Sequence, residues 1–365
     1  MVNTEQKRTR AGLVHCALRQ VVAPWQHRLF GTSGLFGCKP TNVEIGITNA
    51  CCMRCKMCGT WKTPPQDELD IHKWKCILQH LKEWLGVFRL TVSGGEPFLK
   101  AGIWELLDNA GHLGLPVIVV TNGFCFDNCQ LEHLVSLSLT QIVVSVDSLN
   151  PEVHDAIRGR SGAFQRTWAT LSYLAKQRRS FLLATNTVIM RDNILELGRI
   201  ARGLTELGVD RILFQPIQGG FGRDGTDWPY DSGLWPRREQ VADGFGALLE
   251  ARRSGTPVPH TEQELMYFQA YLNQGANWVR PWDCQVGYTS IYCDAQGKVR
   301  LCPFSRRNIG SLNERGAQDI WKSRAAIAER DRAQSCRIAC MLNCTRQYSL
   351  AEQVKYGIAL LRNLP

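Results

Sequence analysis

The stretch Val43-Glu44-Ile45-Gly46-Ile47-Thr48-Asn49-Ala50-Cys51-Cys52-Met53-Arg54-Cys55-Lys56-Met57-Cys58 decides how this chain is read. Val43–Thr48 is a short β-like run, and the residues after it place Cys51, Cys55 and Cys58 at the spacing C-x3-C-x2-C. A compact loop of this kind wraps three thiolates around one side of an iron–sulfur cube. The cube has four irons, so three ligands leave one iron open to a further molecule. Zinc is the alternative, because C-x2-C pairs commonly bind it and it wants a fourth donor close by. Cys52 is at hand for that, but its adjacency to Cys51 would strain a shared tetrahedral site.

Outward from this loop the chain alternates β-like and amphipathic runs, the pattern of repeated βα units and a parallel sheet. Strands are expected at Val43–Thr48, Phe88–Ser93, Val117–Thr121, Gln141–Asp147, Leu182–Ile189 and Arg211–Pro216. One intervening helix carries Ile71, Trp74, Ile77, Leu78, Leu81 and Leu85 on one face, and another carries Ile194, Leu197, Ala201, Leu204 and Leu207. The fold class is α/β, a (β/α)6 partial TIM barrel. In a parallel barrel the loops after the strands open on the C-terminal face, where active sites are built. The cysteine loop follows the first strand and Ser93-Gly94-Gly95-Glu96-Pro97 closes the second; two glycines let the backbone approach a ligand, and a carboxylate there pairs with an ammonium group.

These features together resemble the radical S-adenosylmethionine superfamily, whose signature is the C-x3-C-x2-C loop after the first barrel strand. The resemblance implies a [4Fe–4S] cluster on Cys51, Cys55 and Cys58, with S-adenosylmethionine chelating the open iron. It implies that Gly94, Gly95 and Glu96 form the GGEP motif, with Glu96 on the methionine amino group. Asn122, in Thr121-Asn122-Gly123, would shape the pocket floor, Ser145 and Asp147 would contact the ribose, and Arg158 would pair with the methionine carboxylate. Met57 stands where relatives usually carry an aromatic residue, and its backbone would meet the adenine. The chemistry implied is reductive cleavage of the cofactor to a 5′-deoxyadenosyl radical that takes hydrogen from a substrate C–H bond.

A second cysteine group, Cys284, Cys302, Cys336, Cys340 and Cys344, lies near the end of the chain. Cys284 and Cys302 frame Gly297 at the spacing of the SPASM and twitch extensions found behind many such barrels. A hairpin of Ser290–Cys293 and Lys298–Leu301, turning at Gln296-Gly297, would present the two thiolates from its arms. One auxiliary [4Fe–4S] cluster is expected, on Cys284, Cys302, Cys340 and Cys344, with Cys336 able to replace one of them; zinc is the alternative metal. Cys16, Cys38, Cys76, Cys125, Cys129 and Cys293 are expected as buried hydrophobes, Cys125 and Cys129 lying on the mouth side of the third strand.

The domain organisation expected is a basic helical extension over 1–40, the barrel over 41–218, a linker loop and helices over 219–283, the small cysteine-rich hairpin and helix extension over 284–348, and a last helix over 349–365. The chain has 365 residues, 44% of them hydrophobic, with a net charge of +10. That composition excludes a disordered or fibrous protein, and the longest apolar stretch, Leu115–Val120, falls far short of the roughly 18–20 residues that cross a bilayer. The basic residues are scattered in pairs such as Arg252/Arg253, so the charge reads as a solvated surface rather than a nucleic-acid site, with at most peripheral membrane contact. Length and the lack of a signal point to a reducing cytoplasm. The substrate is expected to be a small or lipid-linked molecule that is oxidised, rearranged or cross-linked. The alternatives are a peptide-modifying maturase and, from another class, a non-enzymatic iron–sulfur electron carrier. An electron donor such as flavodoxin or ferredoxin is the expected partner, and substrate contacts are expected from Gln215, Gln218 and Asp227–Tyr230.

Overall fold

Short runs rich in Val, Ile, Leu and Thr become six parallel strands, β1 (Asn42–Thr48), β2 (Arg89–Gly94), β3 (Val117–Thr121), β4 (Gln141–Ser145), β5 (Leu182–Ile189) and β6 (Arg211–Pro216). They pair in sequence order, so each crossover returns beside the strand it left. The computed structural model describes residues 39–341 apart from 178, 219–231, 283, 285 and 306. The expected helix in 1–40, the helix over 349–365, Cys16, Cys38, Cys344 and Asp227–Tyr230 lie outside the described residues.

The crossovers are helical: α1 (Ile71–Leu85), α2 (Ile103–His112), α3 (Asn128–Ser136), α4 (Pro151–Arg158), α5 (Ala163–Lys176) and α6 (Leu197–Leu207). Asp70 caps α1 by accepting from the Lys73 N–H, and Gly86, with φ +74°, ends it. The side turned to the sheet is Ile71, Trp74, Ile77, Leu78, Leu81 and Leu85, as the spacing predicts. Cys76 corrects the expectation of a buried thiol: at about 3.6 residues per turn it falls opposite Trp74 and Leu78 and is exposed. Cys129, in the first turn of α3, is exposed too, whereas Cys293 is buried.

After β6 come α7 (Arg238–Arg253) and α8 (Glu262–Gln274), then β7 (Ser290–Cys293), β8 (Lys298–Arg300), β9 (Gly310–Ser311), α9 (Ala317–Trp321) and α10 (Arg324–Gln334). The C-terminal hairpin does not stand apart from the barrel. β7 pairs in parallel with β1, from Asn42↔Ser290 to Ile45↔Cys293, and β8 and β9 continue antiparallel, giving one nine-stranded sheet. Gly297, at φ +79°, supplies the turn between β7 and β8. One hydrophobic core runs from Phe214 on β6 through Ile45 on β1 to Ile291, Val299 and Trp321. Trp84 and Trp321 meet edge to face at 6.4 Å, closing α1 against α9. Among the described residues no helix is long and apolar enough to cross a membrane.

Leu78 is fully buried in this core. Leu78→Ala is expected to cost about 2–5 kcal/mol, measured as a lowered midpoint of denaturant unfolding.

Candidate active site

The cysteine loop is held at its root, its middle and its far limb by different elements. At the root, Thr48 Oγ1 and the Asn49 N–H both donate to Glu68 Oε1, at 3.0 and 2.6 Å, and Lys100 neutralises the other carboxylate oxygen at 3.0 Å. In the middle, the Gly95 N–H donates to Thr48 O at 2.7 Å and the Glu96 N–H to Ala50 O at 2.8 Å. On the far limb, the N–H groups of Arg54 and Lys56 donate to the carbonyls of Arg158 and Ile157, both at 2.9 Å. Glu68 and Lys100 carry no motif and were invisible in the sequence.

The two glycines after β2 serve this packing. A Cβ on Gly95 would lie 2.2 Å from the Ala50 carbonyl oxygen, and one on Gly94, whose φ is +126°, would lie 2.5 Å from the Thr48 oxygen. Both glycines thus allow a close approach to the loop's own backbone. Glu96 is fully buried, taking hydrogen bonds from Thr121 Oγ1 at 2.7 Å, the Asn122 N–H at 2.8 Å and the Phe98 N–H at 3.4 Å. Burial raises its carboxyl from the ordinary 4.5 to about 7, against the pull of those donors.

Cys51 and Cys58 are half-buried and Cys55 is buried, packed with Met53, Met57, Ala163 and Phe124. Burial pushes the Cys55 thiol up to about 11, and the hydrogen bond that the Cys51 thiol donates to Cys52, together with burial, drives Cys51 higher still. Thiolates held here need a cationic partner, which iron supplies. Among the described residues, no three Cys, His, Asp or Glu side chains converge tightly enough for a single ion. Three thiols on one compact loop, with the Arg158 guanidinium beside Cys55, are a donor set of the kind that three corners of a four-iron cube take.

Asp147 and Arg158 pair with each other. β4 stops at Ser145, which is half-buried, and Asp147 turns inward, where its Oδ2 pairs with Arg158 Nε at 2.8 Å. Its Oδ1 accepts from the Val188 N–H and its own N–H donates to His154 Nδ1. Two buried opposite charges satisfy one another at lower cost than either alone, so both side chains are already partnered within the protein. Arg158 Nη1 reaches on to Cys55 Sγ at 3.8 Å. His154 is held neutral, its pKa lowered to about 3 by burial and the nearby Arg158.

Asn122 links the floor to the loop: its Nδ2 donates to Cys52 Sγ at 3.3 Å. Cys125, expected as a buried hydrophobe, is half-buried and meets Cys52 Sγ at 3.0 Å. The chain folds β3 over the loop, a proximity that sequence spacing does not reveal.

The described members of the second cysteine group lie near one another. Cys284 precedes β7 and Cys302 follows β8, with Cys340 buried nearby and Cys336 half-buried. Each of Cys284 and Cys302 feels the charge of Cys340, and Cys284 also feels Cys336. Gln218, expected at the substrate, instead accepts the Met341 N–H on its Oε1 at 2.9 Å, tying the end of β6 to the cysteine segment.

The family description Radical SAM superfamily matches residues 45–204, and the description Iron-sulfur cluster-binding domain, the SPASM family, matches 284–345. PqqA peptide cyclase of Xanthomonas campestris pv. campestris is 31% identical over 300 residues, covering 79% of this chain and 75% of that protein. The chain belongs to the radical S-adenosylmethionine superfamily. This radical SAM enzyme binds a [4Fe–4S] cluster and S-adenosylmethionine through its barrel family and auxiliary iron–sulfur through its SPASM family. An AdoMet-dependent heme synthase of Methanosarcina barkeri is also 31% identical, over 78% of this chain and 82% of that protein. In fold, the enzyme matches Streptococcus suis SuiB bound to its precursor peptide SuiA, with a TM-score of 0.64 at 14% identity, over 85% of this chain and 69% of that one.

Gly95→Ala is expected to force the loop away from β2, seen as faster hydrogen–deuterium exchange over residues 48–58 than in wild type. Glu96 gives a pH signature. Its folded pKa of about 7 lies above the ordinary 4.5, so its contribution to stability is full below 4.5 and is lost as pH rises through about 7. In cluster-free protein, Glu96→Gln is expected to flatten the fall in stability between those values, measured by unfolding at a series of pH values.

Proposed function

We propose that this enzyme modifies a side chain of a peptide substrate by radical chemistry, with Cys51, Cys55 and Cys58 holding the cluster that binds S-adenosylmethionine. When bound, that cluster and cofactor supply the one-electron chemistry that activates a C–H bond. The chain's own residues orient and shield. Glu96, set by Thr121 and the Asn122 N–H, offers a carboxylate to the methionine ammonium, and Gly94 and Gly95 fix where Glu96 sits relative to the loop. Met57 lies in the loop, Asn122 bonds Cys52, Ser145 ends β4, and Arg158, buttressed by Asp147, places a positive charge beside Cys55. Cys284, Cys302, Cys336 and Cys340 are the proposed ligands of one auxiliary [4Fe–4S] cluster, with Cys336 in the place expected for Cys344, which lies outside the described residues.

The peptide reading displaces the expected small or lipid-linked substrate. The observation that carries it is the 31% identity with PqqA peptide cyclase over 79% of this chain and 75% of that protein, in a chain that also matches the SPASM family over 284–345. Supporting it, Arg160 and Arg166 stand exposed over the Phe124 ring beside the loop, at 4.2 and 5.5 Å, a rim suited to an extended chain with acidic groups. A small-molecule reading draws on the likeness to the heme synthase. An external donor of the flavodoxin or ferredoxin type supplies the electron.

The test is anaerobic incubation of reconstituted enzyme with S-adenosylmethionine, dithionite and short peptides encoded beside its gene. Release of 5′-deoxyadenosine together with a peptide lighter by two hydrogens is expected, and Cys55→Ala is expected to abolish both. Turnover of a porphyrin precursor with no change in any peptide would replace this reading with the small-molecule one.

A further inference from the structure

The auxiliary cysteines share a fixed cation. Arg280 lies between α8 and Cys284, and Pro281 after it biases the backbone to the extended form that delivers its side chain. Its Nη1 donates to Cys340 Sγ at 3.4 Å and its Nη2 to Cys336 O at 2.8 Å, so one planar fork clamps both ends of the Cys336–Cys340 segment. The same guanidinium feels Cys284 as well as Cys340 and Cys336. Among the described residues no Asp or Glu forms an ion pair with it, and its hydrogen bonds go to Cys340 Sγ and Cys336 O. Cys284 and Cys340 are buried, where solvent screens that charge weakly.

We propose that Arg280 is a positioning residue that raises the reduction potential of the auxiliary cluster. The inference rests on the assignment of Cys284, Cys302, Cys336 and Cys340 as its ligands. One-electron reduction adds one negative charge to an assembly already carrying four thiolates. A cation and an N–H donor against one of those sulfurs stabilise the reduced form more than the oxidised form. The electron comes from the substrate carbon after hydrogen abstraction, the carbon is oxidised, and its remaining proton leaves to solvent. Arg280 thus makes the site a readier acceptor in that exchange. Lysine would keep the charge and lose the two-pronged grip.

Full-length protein with Cys51, Cys55 and Cys58 all changed to alanine isolates the auxiliary site for reconstitution, iron analysis and an EPR-monitored redox titration. In that background Arg280→Gln is expected to lower the ratio of reduced to oxidised cluster at a given poise about tenfold, about 59 mV for a one-electron couple. Arg280→Lys is expected to fall between Arg280→Gln and the parent. Because the titration reads the EPR signal of intact clusters, a variant that loads less iron still reports its potential. A potential in Arg280→Gln equal to or above that of the parent overturns the inference and leaves the ligand assignment standing. Failure of the isolated site to hold iron, or an unchanged cluster in Cys340→Ala, overturns the assignment and the inference with it.

Discussion

Two backbone hydrogen bonds, Gly95 N–H to Thr48 O and Glu96 N–H to Ala50 O, fix where the cysteine loop leaves the sheet. They require that nothing stand between the end of β2 and the loop, and only glycine at 94 and 95 leaves that space. Glu96 follows at once, so the same contact that seats the loop drives a carboxylate under the pocket floor. Its hydrogen bonds to Thr121 and Asn122 then carry the constraint to the end of β3, and Asn122 returns it to Cys52. The site is a closed circuit of short contacts, and shifting one member moves the others.

Two ion pairs flank the loop. Glu68 with Lys100 and Asp147 with Arg158 are both largely withdrawn from water. Such pairs contribute little net stability, because desolvation offsets their attraction, yet breaking one leaves a buried charge uncompensated. Their effect here is directional: Lys100 lets Glu68 act as an acceptor at the loop root, and Asp147 turns Arg158 toward Cys55. The barrel thereby presents a positive charge at one cysteine and a protonatable carboxyl at the floor.

The pairing of β7 with β1 gives the two cysteine groups a common rigid frame. β1 leads directly into the first group, and β7 lies between Cys284 and the turn that leads to Cys302. Gln218, at the far edge of the barrel, holds the segment just after Cys340. The second group is therefore anchored at both ends of the parallel sheet, and its distance from the first is set by strands rather than by a linker.

The sequence by itself determined the parallel strands, their helices and the two families matched, because those rest on local signals: periodic burial, caps, glycine turns and fixed cysteine spacings. It also pointed to Glu96 through the motif around it. What only the tertiary structure decided were the contacts between residues far apart in the chain. Asp147 paired with Arg158, Cys125 met Cys52, Gln218 tied down the SPASM segment, and the hairpin joined the barrel sheet at β1. None of these has a local signature, since each depends on which buried polar group or open strand edge finds its partner once the chain has closed on itself.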